Sequence, residues 1–221
     1  GAGNNLGIIK SNTQYVYVLN PDVVLKNDTI LNINKSITNL ENFAILSPIS
    51  DNLNYPNYRI NKYNELIDDN IIKNVEEIDG YSMIINKNYF SDNIFFDEKI
   101  FMYLENVDLC LRARKNNGKL FIIKNSKIHH LGAKAVDDKY SEEIELSRNW
   151  HWMWSKLYFN KKHRGFFISI FLGLGSLFIN FLKFFIYTII FNKKKNIYKM
   201  RMLGIFNALL GRESWFRPVI N

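Results

Sequence analysis

Through the first 147 residues the chain alternates short apolar runs with polar, turn-forming stretches; beyond them it turns into one long apolar run between basic clusters. Residues 15–19, 43–46, 82–86 and 120–123 are β-branched or aromatic runs of strand length, bounded by Asn, Asp, Ser, Gly or Pro. Residues 28–40 and 101–115 repeat their apolar positions at helical spacing and read as helices. Strands interleaved with helices predict an α/β domain, part of a mixed sheet with helices on its faces.

The apolar run covers residues 165–191. As a helix, 27 residues reach about 40 Å, against about 30 Å for the hydrocarbon core of a bilayer. Ser169, Gly173, Ser176, Asn180, Lys183 and Tyr187 recur at steps of four and three, a thin small and polar seam along a greasy helix. Such a seam suits helix packing within a membrane, or a helix lying in the interface with the seam turned away from lipid. Trp150, Trp152, Trp154 and Tyr158 just upstream suit an interfacial aromatic belt or a lid.

Charge sharpens this division. Residues 1–147 hold 16 Lys/Arg against 20 Asp/Glu, a net of −4, and residues 148–221 hold 13 against 1, a net of +12. The overall +8 therefore belongs to the tail. Lys161, Lys162, His163 and Arg164 precede the apolar run and Lys193, Lys194 and Lys195 follow it, which fits anionic lipid head groups better than nucleic acid. The expected organisation is a domain at 1–147 and a membrane-associating helical tail at 148–221, peripheral or single-span, with no nucleic-acid partner. A single cysteine, Cys110, excludes an intrachain disulfide, and no Cys/His spacing suggests structural zinc.

Candidate chemistry concentrates in residues 95–112, where Asp97, Glu98, Glu105 and Asp108 are threaded through an aromatic and aliphatic segment. Burying a carboxylate is costly unless it meets a cation, a metal or a substrate. An ordinary amphipathic helix with Glu105, Asp108 and Arg112 on one face accounts for the same pattern. A second candidate is Asn20-Pro21-Asp22, which ends the first strand and projects polar side chains from it. In open α/β sheets ligands bind at strand ends, and an Asp there can hold a hard cation through oxygen. Three glycines and two asparagines within residues 1–7 read as a flexible loop with exposed backbone N–H groups.

Taken in order, these segments resemble the family 2 glycosyltransferases of the GT-A fold, particularly the bacterial rhamnosyltransferase-like branch. Gly1 to Gly7 resembles that branch's Gly/Asn-rich loop, Leu19-Asn20-Pro21-Asp22 its variant of the metal-binding Asp-x-Asp motif, and Ile78-Asp79-Gly80 the loop before its acceptor side. Phe96 to Arg112 resembles the segment holding the catalytic base, His129-His130-Leu131-Gly132 a His-x-x-Gly element, and Arg148-Asn149 the start of the next helix. The resemblance covers residues 1 to about 150 and implies a GT-A, Rossmann-like mixed sheet. In that family two βα units precede the Gly-rich loop and hold the nucleotide. The chain is therefore expected to be the carboxyl-terminal part of a longer enzyme, with the sheet incomplete at its amino-terminal half and inactive by itself.

What the resemblance implies chemically is transfer of a sugar, with inversion, from a nucleoside-diphosphate donor to a hydroxyl of a membrane-associated polysaccharide or lipid-linked precursor at the cytoplasmic face of the membrane. Asp22 and Asn20 would hold Mg²⁺ or Mn²⁺; Asn5, His130, Lys134 and Arg148 are candidate donor and diphosphate contacts; Asp79, Gly80 and Asn106 lie on the acceptor side. Many relatives read Glu-Asp where this chain has Glu105-Asn106, and an amide cannot accept the acceptor's proton, so Glu105 is the first candidate base and Asp108 the second. Asn106 and Ala135, which depart from the family pattern, favour the alternative: a noncatalytic, membrane-bound glycan-binding remnant of the same fold.

Overall fold

The computed structural model describes residues 1–40, 42–52, 54–60, 71–90, 94–132 and 138–218. The chain divides into two compact units, Gly1–Asp97 with Glu105–Ala135, and Glu98–Leu104 with Val136–Asn221. The first is mixed α/β and the second helical.

The first unit opens with α1 (Ala2–Lys10), followed by β1 (Tyr15–Leu19), β2 (Val23–Leu25), α2 (Thr29–Asn39), β3 (Ile45–Ser50), β4 (Tyr58–Arg59), β5 (Ile72–Asn74), β6 (Glu77–Ile78), β7 (Ser82–Asn86), α3 (Glu105–Lys115) and β8 (Leu120–His130). Six strands form one sheet in the order β1-β7-β3-β8-β2, with β5 also paired to β8; β4 and β6 make a separate ribbon. β7 runs antiparallel to β1 and β3, β3 and β8 run parallel, and β2 and β5 run antiparallel to β8. The carboxyl ends of β1, β3 and β8 therefore share one edge of the sheet. β1 pairs with β7 alone among the described residues.

Strict alternation builds the core. Val18, Ile45, Met83, Ile85, Leu120 and Ile122 face one way and pack with Ile8 of α1 and Leu109, Cys110 and Ala113 of α3. Leu46, Ile84 and Ile123 face the other way and meet Ile33 of α2 with Tyr15, Tyr17 and Phe121. The period of two in the strands thus feeds two helical layers from one sheet.

Four boundaries differ from the sequence reading. The strand expected over 43–46 is β3, which starts at Ile45 and runs on to Ser50. The Gly/Asn-rich start, expected as a loop, is helix α1. Asn5 has its side-chain amide paired both ways with the Phe96 backbone, Nδ2 donating to the carbonyl at 2.8 Å and Oδ1 accepting the N–H at 2.9 Å, and Ile8 one turn on is buried. That tertiary anchor offsets the poor helix propensity of Gly and Asn. β8 runs on through the polar residues Lys124 to Lys127 to His130, because β3 continues to pair with it past an irregularity between Pro48 and Ile49 and β2 takes its other side. α3 starts at Glu105 and not at Phe101, since Tyr103 and Leu104 both have φ of 68°.

The second unit contains α4 (Ser141–Arg164), α5 (Phe166–Ile189) and α6 (Lys194–Leu209). Met153, Leu157 and Ile205 form its core with Leu177, Ala208 and Leu209. Glycines set the helix approaches: a Cβ on Gly204 would lie 2.3 Å from the Trp150 carbonyl oxygen, and one on Gly173 would lie 2.6 Å from Leu157. The carboxyl-terminal residues fold back onto α4. His151 joins Ser214 Oγ through Nδ1 at 2.9 Å and the Phe216 carbonyl through Nε2 at 2.8 Å, while Trp154 Nε1 donates to the Arg212 carbonyl. Residues 98–104 belong here too, with Ser155 Oγ donating to the Met102 carbonyl, Trp152 edge-on to Tyr103, and Arg217 3.5 Å from the centre of the Phe101 ring. α5 is long and apolar enough to cross a membrane.

Candidate functional site

Polar side chains of the first unit collect at the edge where β1, β3 and β8 end. The turn after β1 is fixed by backbone: Asn20 N–H donates to the Tyr81 carbonyl at 2.9 Å, and Val23 N–H to the Asn20 carbonyl. Asn20 itself is exposed, and Asp22 two residues on lies opposite the end of β8, its carbonyl accepting the Leu131 N–H. The Asp22 carboxylate meets His130 Nε2 at 3.2 Å. His130 in turn stacks on Tyr81, ring centres 4.0 Å apart and planes 13° from parallel. Alternation along β8 sends the adjacent His129 elsewhere, to Asp51 at 2.8 Å, which also meets Lys26 at 3.1 Å. Burial opposes ionisation of Asp51, but the hydrogen bonds from His129 and Lys26 outweigh it and hold the carboxyl below its ordinary range.

Asp79, Gly80 and Asn106 converge. Asn106 Nδ2 donates to the Ile78 carbonyl at 2.9 Å, and its Cβ sits where a Cβ on Gly80 would be only 3.2 Å away, so a side chain at position 80 would press against α3. Burial pushes the Asp79 carboxyl up, offset in part by the nearby Arg59 and His130. Tyr81, next in the chain, has its phenol pushed up to about 12, chiefly by burial, and stays a neutral hydroxyl near neutral pH.

Glu105 opens α3 immediately after the two left-handed residues, a backbone conformation that bulky side chains rarely adopt and that clusters at functional positions. Its Oε2 is closed off from solvent without a hydrogen-bond partner, the one such side-chain atom among the described residues. Burial raises its pKa, against the smaller opposing effect of its own backbone N–H. Asp108, three residues along, is wholly buried and differently placed: Arg112 Nε donates to it at 2.8 Å. The same guanidinium donates to the carbonyls of Ile94 and Phe95, tying α3 to the preceding segment. Asp108 thus has a structural ion pair where Glu105 has a buried carboxylate oxygen without a hydrogen-bond partner.

The remaining candidates separate from this group. Asn5 is committed to Phe96 within α1. Arg148 lies on α4 of the second unit. Lys134 and Ala135 lie outside the described residues. Sequence reasoning passed over Tyr81 and Asp51; an aromatic directly after Asp79-Gly80 at the mouth of β7 was the available signal for Tyr81.

Among the described residues no three His, Cys, Asp or Glu side chains cluster as a metal cage. Asp22 and His130 supply two groups, with Asn20 on the same turn. That donor set fits a hard cation only where phosphate and water oxygens complete its coordination.

No family model and no curated protein matches the chain. Among solved structures it is similar to A197 from STIV, at 12% sequence identity and a TM-score of 0.41, over 60% of this chain and 63% of that one. The match thus spans less than two-thirds of that protein, and a likeness this slight carries no functional weight.

Proposed function

We propose that this chain carries the acceptor-activating part of a glycosyltransferase of family 2 and the GT-A fold, moving a sugar from a nucleoside diphosphate to a hydroxyl of a membrane-associated glycan or lipid-linked precursor at the cytoplasmic face. One observation carries the reading: a carboxylate with a raised pKa and an unanswered oxygen, Glu105, begins the helix whose next residue, Asn106, is bonded to the Ile78-Asp79-Gly80 segment. A general base needs a carboxylate that can accept a proton at working pH and is not already neutralised.

Glu105 would take the proton of the acceptor hydroxyl as that oxygen attacks the anomeric carbon from the face opposite the leaving diphosphate. Asn106 holds the Ile78 carbonyl and so fixes the Asp79-Gly80 turn, which would face the acceptor. At the strand ends, Asp22 with Asn20 and His130 would hold Mg²⁺ or Mn²⁺, which when bound supplies positive charge to the diphosphate. Tyr81 keeps the His130 ring in plane by stacking. Lys134 remains a proposed phosphate contact.

The test is release of nucleoside diphosphate from sugar donors by the full-length protein with Mg²⁺ or Mn²⁺. Glu105→Gln and Asp22→Ala are each expected to remove most turnover, about a hundredfold or more. Near wild-type turnover in Glu105→Gln would overturn the base assignment. Glycan binding without turnover of any nucleotide sugar would instead establish the noncatalytic alternative.

A further inference from the structure

We infer that α5 lies in the plane of an anionic leaflet and does not cross it, seating the second unit on the membrane by one Phe-rich face. Most of the polar seam of α5 is turned onto its own neighbours, with Ser169, Gly173 and Asn180 buried and Lys183 exposed. Ser169 Oγ donates to the Leu157 carbonyl at 3.1 Å, Gly173 lies against Leu157 and Leu209, Leu177 enters the core with Met153 and Ile205, and Tyr187 stacks on Tyr198 at 5.2 Å. From Ser169 to Tyr187 is about 27 Å of helix, close to the full hydrocarbon thickness. To span, α5 would have to draw α4 and α6 into the hydrocarbon with it, and those helices carry Lys156, Lys161, Lys194, Lys199 and Arg201. Lysine and arginine are costly there.

The opposite face of α5 is exposed and apolar: Phe167 is 85% accessible, Phe171 79%, Phe178 62% and Phe185 57%. α6 extends this surface. Phe178 and Phe181 of α5 and Met202 and Phe206 of α6 line an apolar groove of about 460 Å³, and Lys199, exposed, stands among its walls. Cations flank both ends of α5, Lys161 and Arg164 before it and Lys193 and Lys194 after it, all exposed. A spanning helix would put those two clusters on opposite sides of the membrane, whereas an in-plane helix places both at the level of the head groups. The net charge of +12 on residues 148–221 selects anionic lipid and repels a second copy of the same surface.

The inference rests on the membrane association in the reading above and on none of its sugar chemistry. Lys161→Cys and Lys193→Cys, each alone, report the two ends of α5 in sealed inverted membrane vesicles from cells producing the protein, with Cys110 buried and silent. Both sites are expected to react with a membrane-impermeant maleimide without detergent; protection of either one until detergent is added would overturn the in-plane seat. In flotation with purified protein, phosphatidylglycerol-containing vesicles should bind and pure phosphatidylcholine vesicles should bind far less. The triple variant Phe171→Ser, Phe178→Ser, Phe185→Ser should lose about tenfold or more of that binding with its circular dichroism unchanged. Flotation unaffected by the triple variant, or dimerisation without lipid binding, would overturn the proposal. Lipid binding in a protein that turns over no nucleotide sugar would leave this inference standing and remove only the catalytic one.

Discussion

Glu105 and Asp108 are carboxylates three residues apart on one helix, and their fates differ because Arg112 answers only the second. An ionised Glu105 is penalised in the folded chain, so its folded pKa lies above the unfolded value. The unfolded chain therefore loses this proton first as pH rises, and stability falls from about pH 4 upward until the folded group has also ionised. Glu105→Gln lacks that penalty. Thermal melts of the variant and the parent should coincide near pH 4 and diverge toward pH 8, with the Gln form melting higher. If Glu105 is the base proposed above, kcat/KM for donor turnover should rise with pH through an apparent pKa above that of an ordinary glutamate, as the base form becomes populated. A variant that is both more stable and less active is what separates a functional carboxylate from a misplaced one.

Among the elements, α4 comes close against α6 at Gly204. Gly204→Ala would drive a methyl group into the Trp150 carbonyl, forcing the helices apart across the core of Met153, Leu157 and Ile205, at a cost of about 3 kcal/mol or more. A denaturation midpoint unchanged by this substitution would contradict the packing. Periodicity made many elements legible. β1 and β7 fall on the runs that alternate, and α2 lies one residue inside the span that its apolar spacing marked. Where tertiary pairing overrides local preference, sequence was silent: a helix of Gly and Asn held by Phe96, and a strand carried past Lys124 by pairing with β3 that resumes at Lys127 and pairing with β2 from Ile128. The start of α3 was hidden for another reason, since nothing in Tyr103 or Leu104 announces a left-handed backbone. Of the candidate site, the contacts of Asp22 with His130 and of Gly80 with Asn106 join residues that the resemblance had already grouped, whereas the stacking of Tyr81 on His130 needed three dimensions.

For the whole molecule, the order of the two units along the chain matters as much as their contents. The chain leaves the first unit after Asp97, contributes Glu98–Leu104 to the second, and returns at Glu105. Truncation before α4 would strip that segment of Ser155, Trp152 and Arg217. Limited proteolysis should then cut within residues 98–104, where the intact protein resists; equal resistance in both would show that the segment holds its shape unaided. The residue after this excursion is the candidate base. The helical part is thus no simple appendage: a gene that lost it would also lose the partners of Glu98–Leu104, the seven residues that lead into Glu105.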